Sequence, residues 1–139
     1  MEKISFDSGI KTYKINGSGV LRFNPGDPNV YARFLEAADT LRTLEKELAE
    51  RAGKDDVIAL MVELDGKMKA TLGHVFGEGN DFDKMLEGVN LLAVAGNGQR
   101  VITNLVAALE PVLVAGAKAC AGEQAAAAVE KAKARRGQK

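Results

Sequence analysis

The side chains of this chain that could take part in catalysis or metal binding are few and far apart. The chain has one histidine, His74, and one cysteine, Cys120, so no second histidine can share a metal ion and no disulfide can form within the chain. Cys120 lies among alanines, with no base beside it to activate the thiol. We expect Cys120 to behave as a small hydrophobic residue and His74 to be a helix-end or packing residue.

An acidic segment shortly after the histidine offers oxygen atoms of the kind that calcium takes as ligands. The segment lacks the glycine and the terminal glutamate at the spacing of an EF-hand loop. We therefore favour a solvated acidic loop, with a metal site as the alternative. The polar residues of this segment are Glu78, Asn80, Asp81, Asp83 and Glu87.

An apolar run that leads through two glycines into a predicted helix imitates a dinucleotide-binding loop. It covers residues 91–101, with Gly96 and Gly98 in the first two glycine positions and Val101 in the third. No repeated β-α-β pattern surrounds it, and no acidic residue follows at the distance that the dinucleotide fold needs. We expect a turn that starts a helix. With no catalytic group, metal or cofactor predicted, we expect a protein that is not an enzyme.

The composition predicts one globular domain made mainly of helices. Of the 139 residues, 46% are hydrophobic, which is enough for a single core. The 19 basic residues balance the 19 acidic ones, which argues against a whole surface built for nucleic acid. The first residues lack the apolar region of an export signal, and no apolar run approaches the roughly 20 residues that span a bilayer. We therefore expect a cytoplasmic protein without a membrane partner.

The end of the chain is rich in alanine and in basic residues. Such a run could contact phosphates, but it contains no aromatic side chain that could stack on a base. We favour a solvating terminus over a nucleic-acid contact. The basic residues are Lys131, Lys133, Arg135, Arg136 and Lys139.

Short segments of alternating apolar residues between positions 3 and 23 predict two or three antiparallel strands. Turn dipeptides separate them, at Ser8-Gly9 and at Asn16-Gly17, as is typical of hairpins. A sheet this small is only marginally stable alone, so we expect it to pack on helices or to pair with another chain. The alternating residues are Ile4, Phe6, Tyr13, Ile15, Leu21 and Phe23.

The segment that follows the strands predicts a structural joint between sheet and helices. Pro25 ends the last strand, Asp27 caps a helix, and Pro28 occupies the first helical position. Two aromatic residues one turn apart at the head of that helix can pin the strands to the helices. The predicted joint comprises Phe23, Pro25, Asp27, Pro28, Tyr31 and Phe34.

The rest of the chain shows helical spacing of its apolar residues. We predict an antiparallel helix pair over Asp27–Gly53 and Asp55–Val75, one helical turn near Phe82, and a further helix after Gly98 with a kink at Pro111. The predicted fold class is α+β, mostly α, with a small N-terminal antiparallel hairpin or meander followed by a bundle of about four helices.

The predicted single domain spans residues 1–139. Residues 1–24 form its β-hairpin region, residues 27–119 its helical core, and residues 120–139 an alanine-rich, basic C-terminal helix or tail.

Apolar residues in the helical part are candidates for partner binding, with ordinary core as the alternative. Three of them, on the first helix, follow the spacing of a short coiled-coil seam, and the others lie around the acidic segment. The candidates are Leu41, Leu44, Leu48, Phe76, Phe82, Met85 and Leu86.

The order of these features resembles that of the tail assembly chaperones of long-tailed, siphovirus-type phages or prophages of Gram-positive bacteria. The resemblance rests on the strand region, the Phe23–Phe34 segment, the charged helix after it, the Val75–Gly79 segment and the C-terminal helical part, up to about Leu113.

The resemblance implies a cytoplasmic, non-catalytic protein that is absent from the mature virion. It would bind the tape measure protein, keep it soluble and promote polymerisation of the tail tube protein around it. We add the hypothesis that copies self-associate along the tape measure protein through amphipathic helices and strand edges.

Two alternatives come from other classes of protein. A head-to-tail or tail component would remain in the virion, although such proteins usually need a larger β-barrel or a ring-forming loop. A small regulator that binds nucleic acid would use the basic tail.

Overall fold

The computed structural model describes residues 1–54 and 56–137, and for residues 123–129 and 136–137 it describes the backbone only. The fold is α+β, mostly α, as predicted. Its elements in chain order are β1 (Lys11–Ile15), β2 (Gly19–Phe23), α1 (Pro28–Arg51), α2 (Val57–Phe76), α3 (Phe82–Met85) and α4 (Val101–Gly137).

The two strands form an antiparallel hairpin around the predicted Asn16-Gly17 turn. Both turn residues have positive φ, 50° and 88°, which is the backbone conformation that tight hairpin turns require. The possible strand at Ile4 and Phe6 does not form: residues 1–10 contain no strand, and both side chains are exposed. The alternation of apolar and polar residues fits a strand, but in this structure no neighbouring strand pairs with this segment.

Helix α1 begins at the residues that the sequence predicts. The Asp27 carboxylate accepts a hydrogen bond from the Asn29 backbone N–H at 2.9 Å, and Pro28 is the first helical residue. The predicted first residue of the second helix, Asp55, lies outside the described residues. In the structure Asp56 caps α2 by accepting the N–H groups of Ile58 and Ala59.

Helix α4 consists of two helical segments joined at a kink. The non-helical dihedrals fall at Gly122, with φ 74° and ψ −177°, whereas the sequence predicts a kink at Pro111. An ion pair joins Lys118 before the kink to Glu130 after it. Twelve residues of straight helix would separate these two positions by about 18 Å, so the chain bends sharply at Gly122.

One hydrophobic core joins the hairpin to the helices. Aromatic contacts mark the junction: Phe23 lies 5.3 Å from Tyr13 and 4.8 Å from Phe76, and Phe76 lies 5.7 Å from Phe82, as ring centroid distances. The largest fully buried side chains are Phe34, Phe82, Leu21, Leu64, Met68, Leu72, Leu91, Leu92, Ile102, Leu113 and Val75.

The predicted joint lies directly against α4. A Cβ atom added at Gly116 would overlap the Pro25 carbonyl group and would lie 3.1 Å from the Gly26 nitrogen. Gly116 therefore lets the backbone of the joint touch the backbone of the helix. Phe23 and Phe34 of the joint are buried, and Tyr31 is half-buried against the core.

The first segment of α4 is also apolar along its length. By length and composition Val101–Gly122 could cross a membrane, so the expectation that no stretch reaches that length is wrong. Core helices of soluble proteins meet the same criterion, and here Ile102, Leu105, Leu109 and Leu113 are buried in the core. We assign no membrane role to this segment.

Candidate functional site

The structure keeps the lone histidine and the lone cysteine apart. His74 lies in the last turn of α2 and is exposed, and Cys120 is an exposed free thiol on α4. Within residues 1–54 and 56–137, no three His, Cys, Asp or Glu side chains come together as a candidate metal site.

The polar residues of the acidic segment act separately in the fold. Asp81 caps α3 by accepting the Lys84 N–H at 3.1 Å, and Glu87 accepts a long hydrogen bond of 3.5 Å from the Ser18 hydroxyl. Glu78 is exposed, while Asp83 and Asn80 hold other elements in place. The four carboxylate residues are exposed, and the segment also contacts the hairpin and α2 through Glu87, Asn80 and Asp83.

Asp83 belongs to a charge cluster centred on Lys69. The Lys69 Nζ atom lies 2.6 Å from the Asp83 carboxylate and 3.0 Å from that of Asp65, and Asp65 also accepts the Leu91 N–H at 2.7 Å. Burial opposes the charge on Lys69, but the two carboxylates outweigh it and raise the lysine pKa. The cluster ties α3 and the loop after it to α2.

Asn80 completes the outer edge of β2 with its side chain. Its amide oxygen accepts the Arg22 N–H at 2.8 Å, and its amide nitrogen donates to the Arg22 carbonyl at 2.9 Å and to the Phe76 carbonyl at 2.9 Å. One buried side chain therefore takes the place of a neighbouring strand at this point. No feature of the sequence distinguished Asn80 from the carboxylates around it.

The glycine-containing run forms the turn that the sequence predicts. Val94 and Arg100 form an isolated antiparallel bridge, and Gly98 lies at the turn with φ 82°. Arg100 donates to the Leu92 carbonyl, which holds this turn against the start of α4. The chain here reverses direction before a helix, and no β-α-β unit surrounds it.

The seven predicted partner-binding residues all lie inside the core of the isolated chain. The seam on α1 packs against neighbouring helices, and the other four residues pack around α3 and the hairpin. Each of them is at most 8% exposed, so a partner on the surface would contact mainly other residues. The buried residues are Leu41, Leu44, Leu48, Phe76, Phe82, Met85 and Leu86.

Exposed apolar residues instead gather where the first part of α2 meets the loop before α4. On α2, Ile58 and Val62 are 66% and 63% exposed and lie one helical turn apart, so they share a face. They line a shallow groove of about 210 Å³ together with Met61, Leu92 and Ala93. We call this surface the end patch and include in it the exposed loop residues Val89 and Val94.

A second groove lies on the other side of Met61. It has a volume of about 270 Å³ and includes Leu48, Val57 and Met61, with Glu45 and Arg100 also in its lining. Met61 therefore separates two apolar grooves, and its flexible thioether side chain can adapt to different occupants. The two grooves together offer apolar side chains on both sides of Met61, which suits the binding of another apolar surface.

Comparison of the chain with protein-family models, with curated proteins and with solved structures gave no match.

The basic residues near the end of the chain lie on the last segment of α4. Lys131, Lys133 and Arg135 are exposed there, spaced two residues apart along the helix. Residues four apart in a helix share a face and residues two apart do not, so Lys131 and Arg135 lie on one face and Lys133 lies on another. Of the other two residues in the predicted basic tail, Lys139 lies outside the described residues and the side chain of Arg136 is not described.

Proposed function

We propose that the protein is a tail assembly chaperone of a long-tailed phage or prophage. It binds the tape measure protein, keeps this client soluble, and promotes polymerisation of the tail tube protein around it. It acts in the cytoplasm without catalysis and is absent from the mature virion. The proposal joins the family resemblance of the Phe23–Phe34 and Val75–Gly79 segments to one observation, the pair of apolar grooves around Met61.

The end patch supports the proposal through its match to a long amphipathic helix. The apolar residues of such a helix recur every three or four positions, and a helix laid across Met61 could place successive residues in the two grooves. Helix-in-groove contacts of this kind give recognition through a few anchor residues. The client chemistry that fits is therefore an apolar helical stripe, which is what an unassembled tape measure protein would expose.

The shallowness of the grooves suits a protein that must release its client. Neither groove is enclosed, and their volumes are about 210 and 270 Å³, small beside the pockets of about 300–1,000 Å³ that bind small molecules tightly. Weak contacts repeated along a client would cover a long helix, and each contact could still dissociate when a tube subunit binds the client.

The test is co-expression with the tape measure protein of the same phage genome, comparing the wild type with Val62→Glu and Val20→Glu. Val62 and Val20 are both exposed valines, but Val20 lies on the hairpin, so it serves as a matched control. We expect the wild type and Val20→Glu to co-purify with soluble tape measure protein. Val62→Glu should lose at least about tenfold of the co-purified client, because it places a charge in the apolar contact.

Three outcomes would contradict parts of the proposal. No gain in solubility and no co-purification with the wild type would refute the chaperone function. Equal losses in both variants would refute the assignment of the end patch. Detection of the protein in purified virions by mass spectrometry would favour the alternative of a structural tail component.

A further inference from the structure

The first eight residues form an exposed arm with an apolar face. Ile4 is 90% exposed and Phe6 is 81% exposed, and they alternate with Lys3, Ser5 and Asp7 as in a strand that has one apolar side. None of these residues belongs to a helix or a strand in the structure. An arm with this pattern is suited to pairing with a sheet edge.

The base of the arm is fixed to the body of the protein. Asn24 donates to the Ser8 carbonyl at 3.0 Å, and the Asp7 carboxylate accepts the Gly9 N–H at 2.8 Å. Gly9 has a φ of 77°, which favours glycine. The turn fixes the place where the arm leaves the body of the protein, and the apolar side chains of the arm remain in solvent.

The outer edge of β1 is open in the described part of the chain. The N–H and C=O groups of Arg22 both bond to Asn80, outside the hairpin. Thr12 and Arg22 therefore form a non-hydrogen-bonded pair of the antiparallel ladder, in which the N–H and C=O groups of both residues point away from the hairpin. The groups of Thr12, and of Lys14 two residues on, therefore point outward from β1. No backbone hydrogen bond to them is present in the described part of the chain.

An apolar groove lies between this strand and α4. It has a volume of about 490 Å³, and its lining includes Lys11 and Tyr13 of β1 and Val112, Ala115 and Ala119 of α4. A strand added to the edge of β1 would place alternate side chains over this groove. A phenylalanine and an isoleucine two residues apart fit that geometry.

We propose that the arm of one copy of this protein docks on a second copy, adding a strand to the open edge of β1 and placing Ile4 and Phe6 in the β1–α4 groove. The inference does not depend on the proposed client, because the purified protein alone would show it.

A second copy fits better than the chain's own arm. An extended segment of eight residues spans about 26 Å, so an arm that leaves the body at Gly9 is long enough to reach a neighbouring copy. Within one chain, Gly9 itself lines the groove, and the fixed turn beside it leaves Ile4 and Phe6 exposed instead of returning them to the groove. Strand addition to an exposed edge is a recurrent mode of association.

The test is sedimentation velocity of the full chain over a range of concentrations, for the wild type, Ile4→Ser, Phe6→Ser and Thr12→Pro. Proline at position 12 blocks the outward N–H without removing a bond of the hairpin. We expect the wild type to associate, and each variant to raise the dissociation constant by about 10- to 100-fold. Val20→Ser, at an exposed position on β2 outside the arm and the β1–α4 groove, is the control for Ile4→Ser and should leave the dissociation constant unchanged.

Mixing Ile4→Ser with Thr12→Pro provides a second measurement. The first variant keeps an intact edge and the second keeps an intact arm, so the mixture should associate more strongly than either variant alone. Unchanged melting temperatures would show that the single variants fold. A wild type that stays monomeric at every concentration, association that survives the arm and edge variants, or a mixture that behaves as its separate parts would each overturn the proposal.

Discussion

Replacing Gly116 by alanine tests whether the joint rests directly on α4. In an exposed helix interior, alanine is favoured over glycine by about 1 kcal/mol, so helix propensity alone predicts a more stable protein. At this position the added Cβ would overlap the Pro25 carbonyl group and approach the Gly26 nitrogen. Both neighbours belong to the backbone and cannot rotate aside, so the overlap destabilises the protein. Helix propensity and steric overlap therefore change the free energy of unfolding in opposite directions.

The structure lets us work out which effect is larger. To relieve the overlap, α4 and the joint must separate by about 1 Å, and overpacking that forces backbone shifts costs about 1–3 kcal/mol or more. The Pro25 turn lies between β2 and α1, so its movement would also disturb Phe23 and Phe34 in the core. Because the overlap is with backbone, we take the upper end of that range, about 3 kcal/mol. Subtracting the gain in propensity of about 1 kcal/mol, we expect Gly116→Ala to lower the free energy of unfolding by about 2 kcal/mol.

Urea denaturation followed by helical circular dichroism measures this difference, and thermal melting gives it independently. For a chain of this size, about 2 kcal/mol corresponds to a melting temperature lower by about 6–8 °C. Gly66→Ala is the matched control, since Gly66 lies within α2 and an added Cβ meets nothing within 4 Å. The control should gain up to about 1 kcal/mol. A Gly116→Ala protein as stable as the Gly66→Ala protein would refute the close contact between joint and helix.

Three further predictions concern polar contacts. Asn80→Ala should destabilise the protein by about 2–3 kcal/mol, because it removes two partly buried hydrogen bonds to Arg22 and leaves the buried Phe76 carbonyl without this donor. Urea denaturation at neutral pH would measure the loss, and a loss below about 0.5 kcal/mol would contradict the edge contact. Asp65 and Asp83 raise the pKa of Lys69, so the stabilisation from Lys69 should be complete below about pH 10.4 and should fall as the pH rises through the higher pKa of the folded state. The difference in free energy of unfolding between the wild type and Lys69→Met should therefore be smaller at about pH 11 than at about pH 8. A difference that grows with pH would contradict the raised pKa. Asp27→Ala should cost about 1 kcal/mol through loss of the helix cap, with thermal melting as the measure, and an unchanged melting temperature would argue against the cap.

The parts of the fold that local chemistry determines could be predicted from the sequence. Asp27 and Pro28 define the start of α1 because capping involves only neighbouring residues, and Asn16-Gly17 defines the hairpin because its turn needs positive φ. The possible strand near Phe6 did not form, because alternation shows that a segment can pair but not that an edge is available to it. Whether a segment pairs depends on which sheet edges the rest of the fold leaves open.

The candidate site was harder to predict, because an apolar stripe does not show what covers it. The spacing of Leu41 and Leu44 suits a partner helix, and in the structure the chain's own helices supply that partner. The end patch was missed although its signal was present: Ile58 and Val62 make the first half of α2 apolar on more than the face occupied by Leu60. A helix with apolar residues outside its buried face keeps an exposed apolar surface that another molecule can contact.

The amide side chain of Asn80 has a consequence for the side on which this sheet can grow. A two-stranded sheet with both edges open could add a neighbour on each side and extend into a continuous ladder of the kind found in fibrils. Here the β2 edge is occupied at Arg22 by a side chain of the same molecule, so an added strand is directed to the β1 side. One asparagine thus gives the hairpin a preferred side for association, and every copy would meet its neighbour in the same orientation.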